Sequence, residues 1–259
     1  FAKILDKNLK RQSVFIFHLR DNVKWHDGYP LTIDDILFSF QIITNEHTDA
    51  GHLRNYYRDI QEVKKVGTHS IRFTYNKSYF LALSFCGGIP IIPKHRYYPE
   101  RFKGDAKSLG DFFNSHPDNW KPIGNGPYIF KEWKRGQWIK LEKNPNYWAK
   151  KIGFPYFKSN QPYLDEIQFV VINNSNAALK ELMSGNIDAD FEITQELWYD
   201  QRTLTPNFLK QFARSQFLTP LYTYVGWNLN RPFFKDYRVR QALSHLIPKK
   251  KILDDIHKG

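Results

Sequence analysis

Between residues 33 and 44 the apolar side chains Ile33, Ile36, Leu37 and Phe40 recur at i, i+3, i+4 and i+7, the spacing that lines one face of a helix. Thr32, three residues ahead of Asp35, has the capping-box spacing at its start. Elsewhere the period shortens to two, which predicts strands. Residues 14–20 place Phe15, Phe17 and Leu19 on one face. Ile71, Phe73 and Tyr75 alternate in the same way and predict a strand pairing with 60–66 around Gly67-Thr68. Segments 128–133 and 138–142 flank the turn Lys134-Arg135-Gly136-Gln137 and predict a hairpin with an aromatic face.

Shorter signals fill the intervals. Residues 51–58 read as loop or short helix, 78–85 as a short apolar helix, and 97–119 as a surface connection with one or two helical turns. The segment 163–172 is nearly continuous in apolar residues toward its end, which suggests a sheet covered on both faces. Asn176 is expected to cap a helix over 177–184, with Gly185 as its stop. A short strand over 187–191, a helix over 194–203 and a strand over 221–228 follow. The last helix carries Val239, Ala242, Leu243 and Leu246 on one face, and Pro248 breaks or restarts it.

Several of these elements carry motifs. Gly124-Asn125-Gly126-Pro127-Tyr128, a hairpin, and then Asn144-Pro145-Asn146-Tyr147-Trp148 resembles a signature of the family 5 extracellular solute-binding proteins. These are the substrate-binding components of peptide, nickel and oligosaccharide ABC importers. LRDNVKWHDGYPLTIDDILFSF, from Leu19, resembles a second signature: a strand, an x-His-Asp-Gly turn and a Leu-Thr-capped helix. Ile91-Ile92-Pro93-Lys94-His95, the helix ending in Leu182-x-Ser184-Gly185-x-Ile187-Asp188, and NRPFFKDYRVRQAL from Asn230 resemble three more. Pro248 stands where relatives usually carry Asp.

The resemblance implies an α/β fold with a mixed sheet: a periplasmic-binding-protein-like lobe with an inserted subdomain, and a second lobe largely missing. It implies an inserted subdomain over 1–118, the core of lobe one over 119–230, and a crossover into lobe two over 231–259. The chain is therefore expected to be a piece of a longer protein, whose incomplete lobe exposes apolar surface and promotes association. The whole protein would trap a solute, most often a peptide, between two lobes and deliver it to a membrane permease. A nickel chelate, an opine or an oligosaccharide is the alternative ligand. The implied location is periplasmic or extracytoplasmic, with membrane contact only through the permease or a lipid anchor outside this chain.

Composition changes this picture little. Hydrophobic residues at 41% and charged residues at 25% suit a globular chain, and no window of 18 apolar residues spans a bilayer. A formal charge of +12 raises a nucleic-acid-binding module as a rival, but the basic residues are scattered and the longest run is Lys249-Lys250-Lys251. Seven Trp and 15 Tyr raise a carbohydrate-active enzyme. That rival needs opposed carboxylates, whereas Asp188 and Asp190 sit on one short segment and point the same way. The lone Cys86 excludes a disulfide framework and fits a buried small hydrophobe.

No catalytic constellation, metal site or cofactor motif emerges. His26-Asp27 is open to an acid–base or metal reading, but an Asp-Gly turn explains it more simply. Gly124-x-Gly126 is followed by Pro127 and no Lys-Ser/Thr, so a structural turn is preferred to a phosphate loop. The ligand-contact residues implied by the resemblance are Tyr224, Gly226 and Asn228, with Tyr222 joining them by strand alternation. Packing of Tyr224 against a neighbouring helix is the competing reading, and Trp227 falls on the opposite face.

Overall fold

The computed structural model describes residues 12–98, 104–151, 162–216 and 223–256. The chain divides into two compact units, Phe1–Val171 and Ile172–Gly259.

The first unit is built on an antiparallel sheet of order β1-β3-β2, with β1 Ser13–His18, β2 Ile60–Gly67 and β3 Ser70–Tyr75. Phe15 pairs with Phe73 and Phe17 with Ile71, so the predicted alternation survives as one apolar face. Helix α1, Ile33–Thr44, packs Ile33, Ile36 and Ile43 against that face together with α2 (Gly51–Tyr57) and α3 (Ala82–Gly87). Its opposite side is also covered. Phe38 and Ile42 meet Tyr97 of α4 (Lys94–Tyr97) and Leu109 of α5 (Ala106–Asn114). The amphipathic stripe read from sequence is therefore only one of two buried faces, and the connection over 97–119 supplies core as well as surface.

Burying α1 twice requires its polar residues to be satisfied. Ser39 is fully buried, donates to Asp35 O at 2.6 Å and accepts Ile92 N–H at 2.8 Å. Asp35 accepts from Thr32 N at 2.7 Å, as its capping position requires, and from Lys94 N at 2.8 Å. One carboxylate thus starts α1 and pins the start of α4. Helix α5 approaches so closely that a Cβ on Gly110 would lie 2.7 Å from the carbonyl carbon of His47.

A second antiparallel sheet of order β4-β5-β6 comprises Tyr128–Lys134, Trp138–Lys143 and Glu166–Val170. The predicted hairpin is β4–β5. Strand β6 is an edge, and Phe169 and Val170 remain exposed, so no second layer covers it among the described residues.

In the second unit α6 (Ser175–Met183), α7 (Gln195–Trp198) and α8 (Pro206–Gln211) bury Leu179, Leu182, Leu197 and Phe208 together. Asn174, not Asn176, caps α6: its side chain accepts from Ala177 N at 2.9 Å, while Asn176 accepts from Arg202. The helix expected over 194–203 breaks at Asp200, whose carboxylate caps a 3-10 turn by accepting from Arg202 N at 2.8 Å. Residues 187–191 form bends rather than a strand, and Asp190 turns back to accept Glu192 N–H. Two short helices follow, α9 (Pro232–Lys235) and α10 (Tyr237–His245), and beyond Pro248 the helix restarts as α11 (Lys249–Lys251), which runs into a π-helical turn over Ile252–Ile256. Helix α10 is capped by Asp236 and ends ahead of Pro248, as its sequence predicts.

Candidate functional site

Three of the motifs meet in one place in the first unit. Asp27-Gly28 makes the turn, with Gly28 at φ 91°, a left-handed conformation that favours glycine. The turn presents the His26 ring to the Gly124–Pro127 loop. Gly124 N–H donates to His26 Nδ1 at 3.1 Å, so that nitrogen carries no proton, and Nε2–H donates to Gly126 O at 3.1 Å. The same carbonyl accepts Asn144 Nδ2 at 3.1 Å, and Trp148 Nε1 donates to Asn125 O at 2.9 Å. Asp27 meets His95 Nε2 at 2.8 Å, and Tyr29 stacks on that imidazole with centroids 4.3 Å apart.

These contacts settle the alternatives for His26-Asp27. Both ring nitrogens of His26 are spent on backbone groups, and burial holds its pKa below the ordinary histidine value. The ring is a neutral clamp between two loops. The Gly-x-Gly-Pro segment is likewise a clamped turn, with its carbonyls facing protein donors rather than its N–H groups facing an anion. Cys86 is buried, and burial pushes its thiol up to about 12, which leaves it an inert hydrophobe.

The predicted ligand-contact segment lies in the second unit. Tyr222 falls outside the described residues. Residues 223–228 have no regular structure, which corrects the expected strand; no ladder partner pairs with them among the described residues, and an extended segment becomes a strand only when paired. The alternation itself persists. Tyr224 is 75% exposed, and its ring lies beside Gly226, where a Cβ would stand 3.4 Å from Cε2. Trp227 turns away and stacks on Phe234 of α9 at 5.3 Å. Asn228 Oδ1 accepts Asn230 N–H at 3.0 Å, and Nδ2 has no partner among the described residues.

A cavity of about 340 Å³ lies in the first unit between α1, α2 and α5, lined by Ile42, Ile43, Leu53, Ile92 and Phe113. The buried Thr48 hydroxyl at its wall has no partner among the described residues. Sequence reasoning did not find this cavity, because its walls converge from four separate segments that no single motif spans.

Comparison with known proteins accounts for the motif cluster. The family described as bacterial extracellular solute-binding proteins, family 5 Middle, matches residues 7–259. The oligopeptide-binding protein AppA of Bacillus subtilis is 31% identical over 246 residues, covering 93% of this chain and 40% of that protein. Its structure in complex with a nonapeptide superposes with a TM-score of 0.65 at 28% identity, over 98% of this chain and 45% of the other. NikZ from Campylobacter jejuni, solved with Ni(L-His), has the same fold at 23% identity, TM-score 0.64, over 100% and 46% of the two chains. This chain thus spans less than half the length of these relatives. With the family matched from residue 7 to residue 259, the chain belongs to the family 5 bacterial extracellular solute-binding proteins.

Proposed function

We propose that the protein of which this chain forms part is the solute-binding component of an ABC importer, that its ligand is a peptide, and that Tyr224, Gly226 and Asn228 meet it. Tyr222 is assigned with them on spacing alone. The observation that carries the reading is the exposed Tyr224 ring, 75% in solvent and set beside a glycine, on a chain 31% identical to an oligopeptide-binding protein. An exposed tyrosine supplies an apolar body and a hydroxyl, which tolerates peptide side chains of varied shape. Gly226 leaves the backbone approachable, and Asn228 Nδ2 offers a donor to a peptide carbonyl.

Selection then follows from closure of two lobes over the ligand, which removes it from water, and delivery to a permease follows reopening. The domain plan expected from sequence, an inserted subdomain over 1–118, a lobe-one core over 119–230 and a crossover after it, belongs to this proposal. So does an extracytoplasmic location; among the described residues no helix is long and apolar enough to cross a membrane. The reading assigns the chain no catalytic step. Peptide is preferred to a nickel chelate because the chelate-bound neighbour, at 23% identity, supports the fold alone.

Native mass spectrometry of the full-length gene product mixed with a diverse peptide pool tests the ligand class. Retained peptides support the proposal. A protein that retains none, and instead retains a nickel–histidine complex or an oligosaccharide, overturns the peptide assignment.

A further inference from the structure

The end of the β4–β5 hairpin gathers indoles and cations that the solute-binding reading does not use. Trp133 precedes the turn and pairs across β5 with Ile139, which pairs in turn with Phe169 of β6. Residues directly opposite in antiparallel strands share a face, so Trp133, Ile139 and Phe169 form one apolar row across the sheet end. Trp133 is 41% exposed and Phe169 50%. Trp120, 53% exposed at the end of the turn Pro117–Trp120, packs on Trp133 with centroids 5.5 Å apart. The Arg135 guanidinium lies 4.2 Å from the Trp120 centroid and 5.4 Å from that of Trp133. Lys134 stands 4.6 Å over Trp138.

We propose that this hairpin end is a membrane-surface docking patch, in which Trp120 and Trp133 lodge among the headgroups of an anionic bilayer while Arg135 and Lys134 face its phosphates. Charge complementarity selects that occupant. Among the described residues Arg135, Lys134 and Lys121, which follows Trp120, form no ion pair; Lys131 pairs with Glu142, and Glu132 is the other acid of the β4–β5 hairpin. The local excess is positive on a chain of net charge +12. Indoles with adjacent Arg and Lys are the combination that settles at a bilayer interface, where the ring sits at the polar boundary and the cation meets phosphate.

Shape separates this occupant from two others. A sugar platform needs an open ring face, but Arg135 covers one face of Trp120 and the two indoles crowd each other. A protein partner buries a patch by complementarity over a broad area. Here the exposed cations lie against indoles on a tight turn, closed by Gln137 N–H on Lys134 O at 3.0 Å, and such a narrow tip enters a soft headgroup layer more readily than it fills a protein groove.

The test is co-sedimentation of the full-length protein, produced without lipid modification, with vesicles of phosphatidylglycerol and phosphatidylcholine in equal parts or of phosphatidylcholine alone. The wild type is expected on the anionic vesicles only, with binding that weakens as salt rises. Arg135→Glu, a two-charge change at the surface, is expected to lower the partition constant by about tenfold or more. The Trp120→Ala/Trp133→Ala pair should lose binding and also lose quenching by brominated lipid. Lys64→Glu makes the same charge change on exposed β2 of the other sheet and should stay within about twofold of wild type. The proposal is overturned by no binding to anionic vesicles, or by equal losses in Arg135→Glu and Lys64→Glu, which marks diffuse attraction of a basic chain. Binding to an acidic protein surface with none to vesicles overturns it in favour of a protein partner.

Discussion

His26 and Gly126, 100 residues apart in sequence, are joined by a hydrogen bond of 3.1 Å from imidazole Nε2 to the backbone carbonyl. The bond depends on its counterpart, the Gly124 N–H donated to Nδ1, because that contact fixes the ring as the neutral Nε2–H tautomer. One uncharged side chain therefore holds both glycines of the Gly-x-Gly-Pro turn and sets where the β4–β5 hairpin begins. The motifs that identify the family in this unit are joints of the scaffold.

His26→Ala is expected to destabilise the protein by roughly 1–3 kcal/mol, the cost of leaving a part-buried N–H and a carbonyl without their partner. Urea unfolding of the two proteins measures this. The wild type should also lose stability in acid. Burial lowers the His26 pKa in the folded state, so the unfolded chain binds more protons; the contribution is full above the ordinary value of about 6.5 and declines as pH falls through the folded value. Protonation would place a new Nδ1–H against the Gly124 N–H. The acid-induced fall from this source should vanish in His26→Ala.

Gly110→Ala sets two effects against each other. Alanine raises helix propensity by about 1 kcal/mol. The added Cβ, however, meets backbone and side-chain atoms of His47 at 2.7 Å, and that loop is tied to α5 by Asn114 Nδ2 donating to His47 O at 2.9 Å. Overpacking against backbone costs about 1–3 kcal/mol, so net destabilisation is expected. Gly51→Ala, whose nearest atom is Arg54 Nη1 at an ordinary contact distance of 4.0 Å, should be neutral or slightly stabilising. Thermal unfolding of the two variants distinguishes the signs.

The second unit leaves Phe233, Tyr237 and Leu246 exposed along α9 and α10, and no residue of α10 is fully buried. The 259-residue polypeptide by itself is therefore expected to associate, with a sedimentation coefficient that rises with concentration. A monomer over the whole concentration range, with a sharp unfolding transition, would count against this.

Where local chemistry decides structure, the sequence was readable. Helix α1 begins at Ile33 and ends at Thr44, as its periodicity and Thr32–Asp35 cap require, and the alternation of Ile71, Phe73 and Tyr75 maps onto a buried strand face. Where two local options compete, it was less so. Asn174 and Asn176 are both good caps, and only the backbone at Asn174, extended at φ −113°, lets its side chain reach Ala177 N. Partnership over long range was not legible at all. The His26 clamp, the second buried face of α1 and the missing ladder partner of residues 223–228 depend on segments tens of residues away. The alternation of Tyr224, Gly226 and Trp227 survived the loss of the strand because extended backbone alternates whether or not it is paired.

The most direct test of the account is calorimetric titration of the full-length protein, wild type and Tyr224→Ala, with one peptide retained from the pool, using Trp227→Ala as a comparison. Tyr224→Ala should keep the wild-type unfolding midpoint and bind roughly ten- to thirtyfold more weakly, as expected for loss of an aromatic anchor. Trp227→Ala, which removes the stack on Phe234, should lower the unfolding midpoint instead. Wild-type affinity in Tyr224→Ala would show that the peptide does not meet this ring, and would contradict the assignment of the segment.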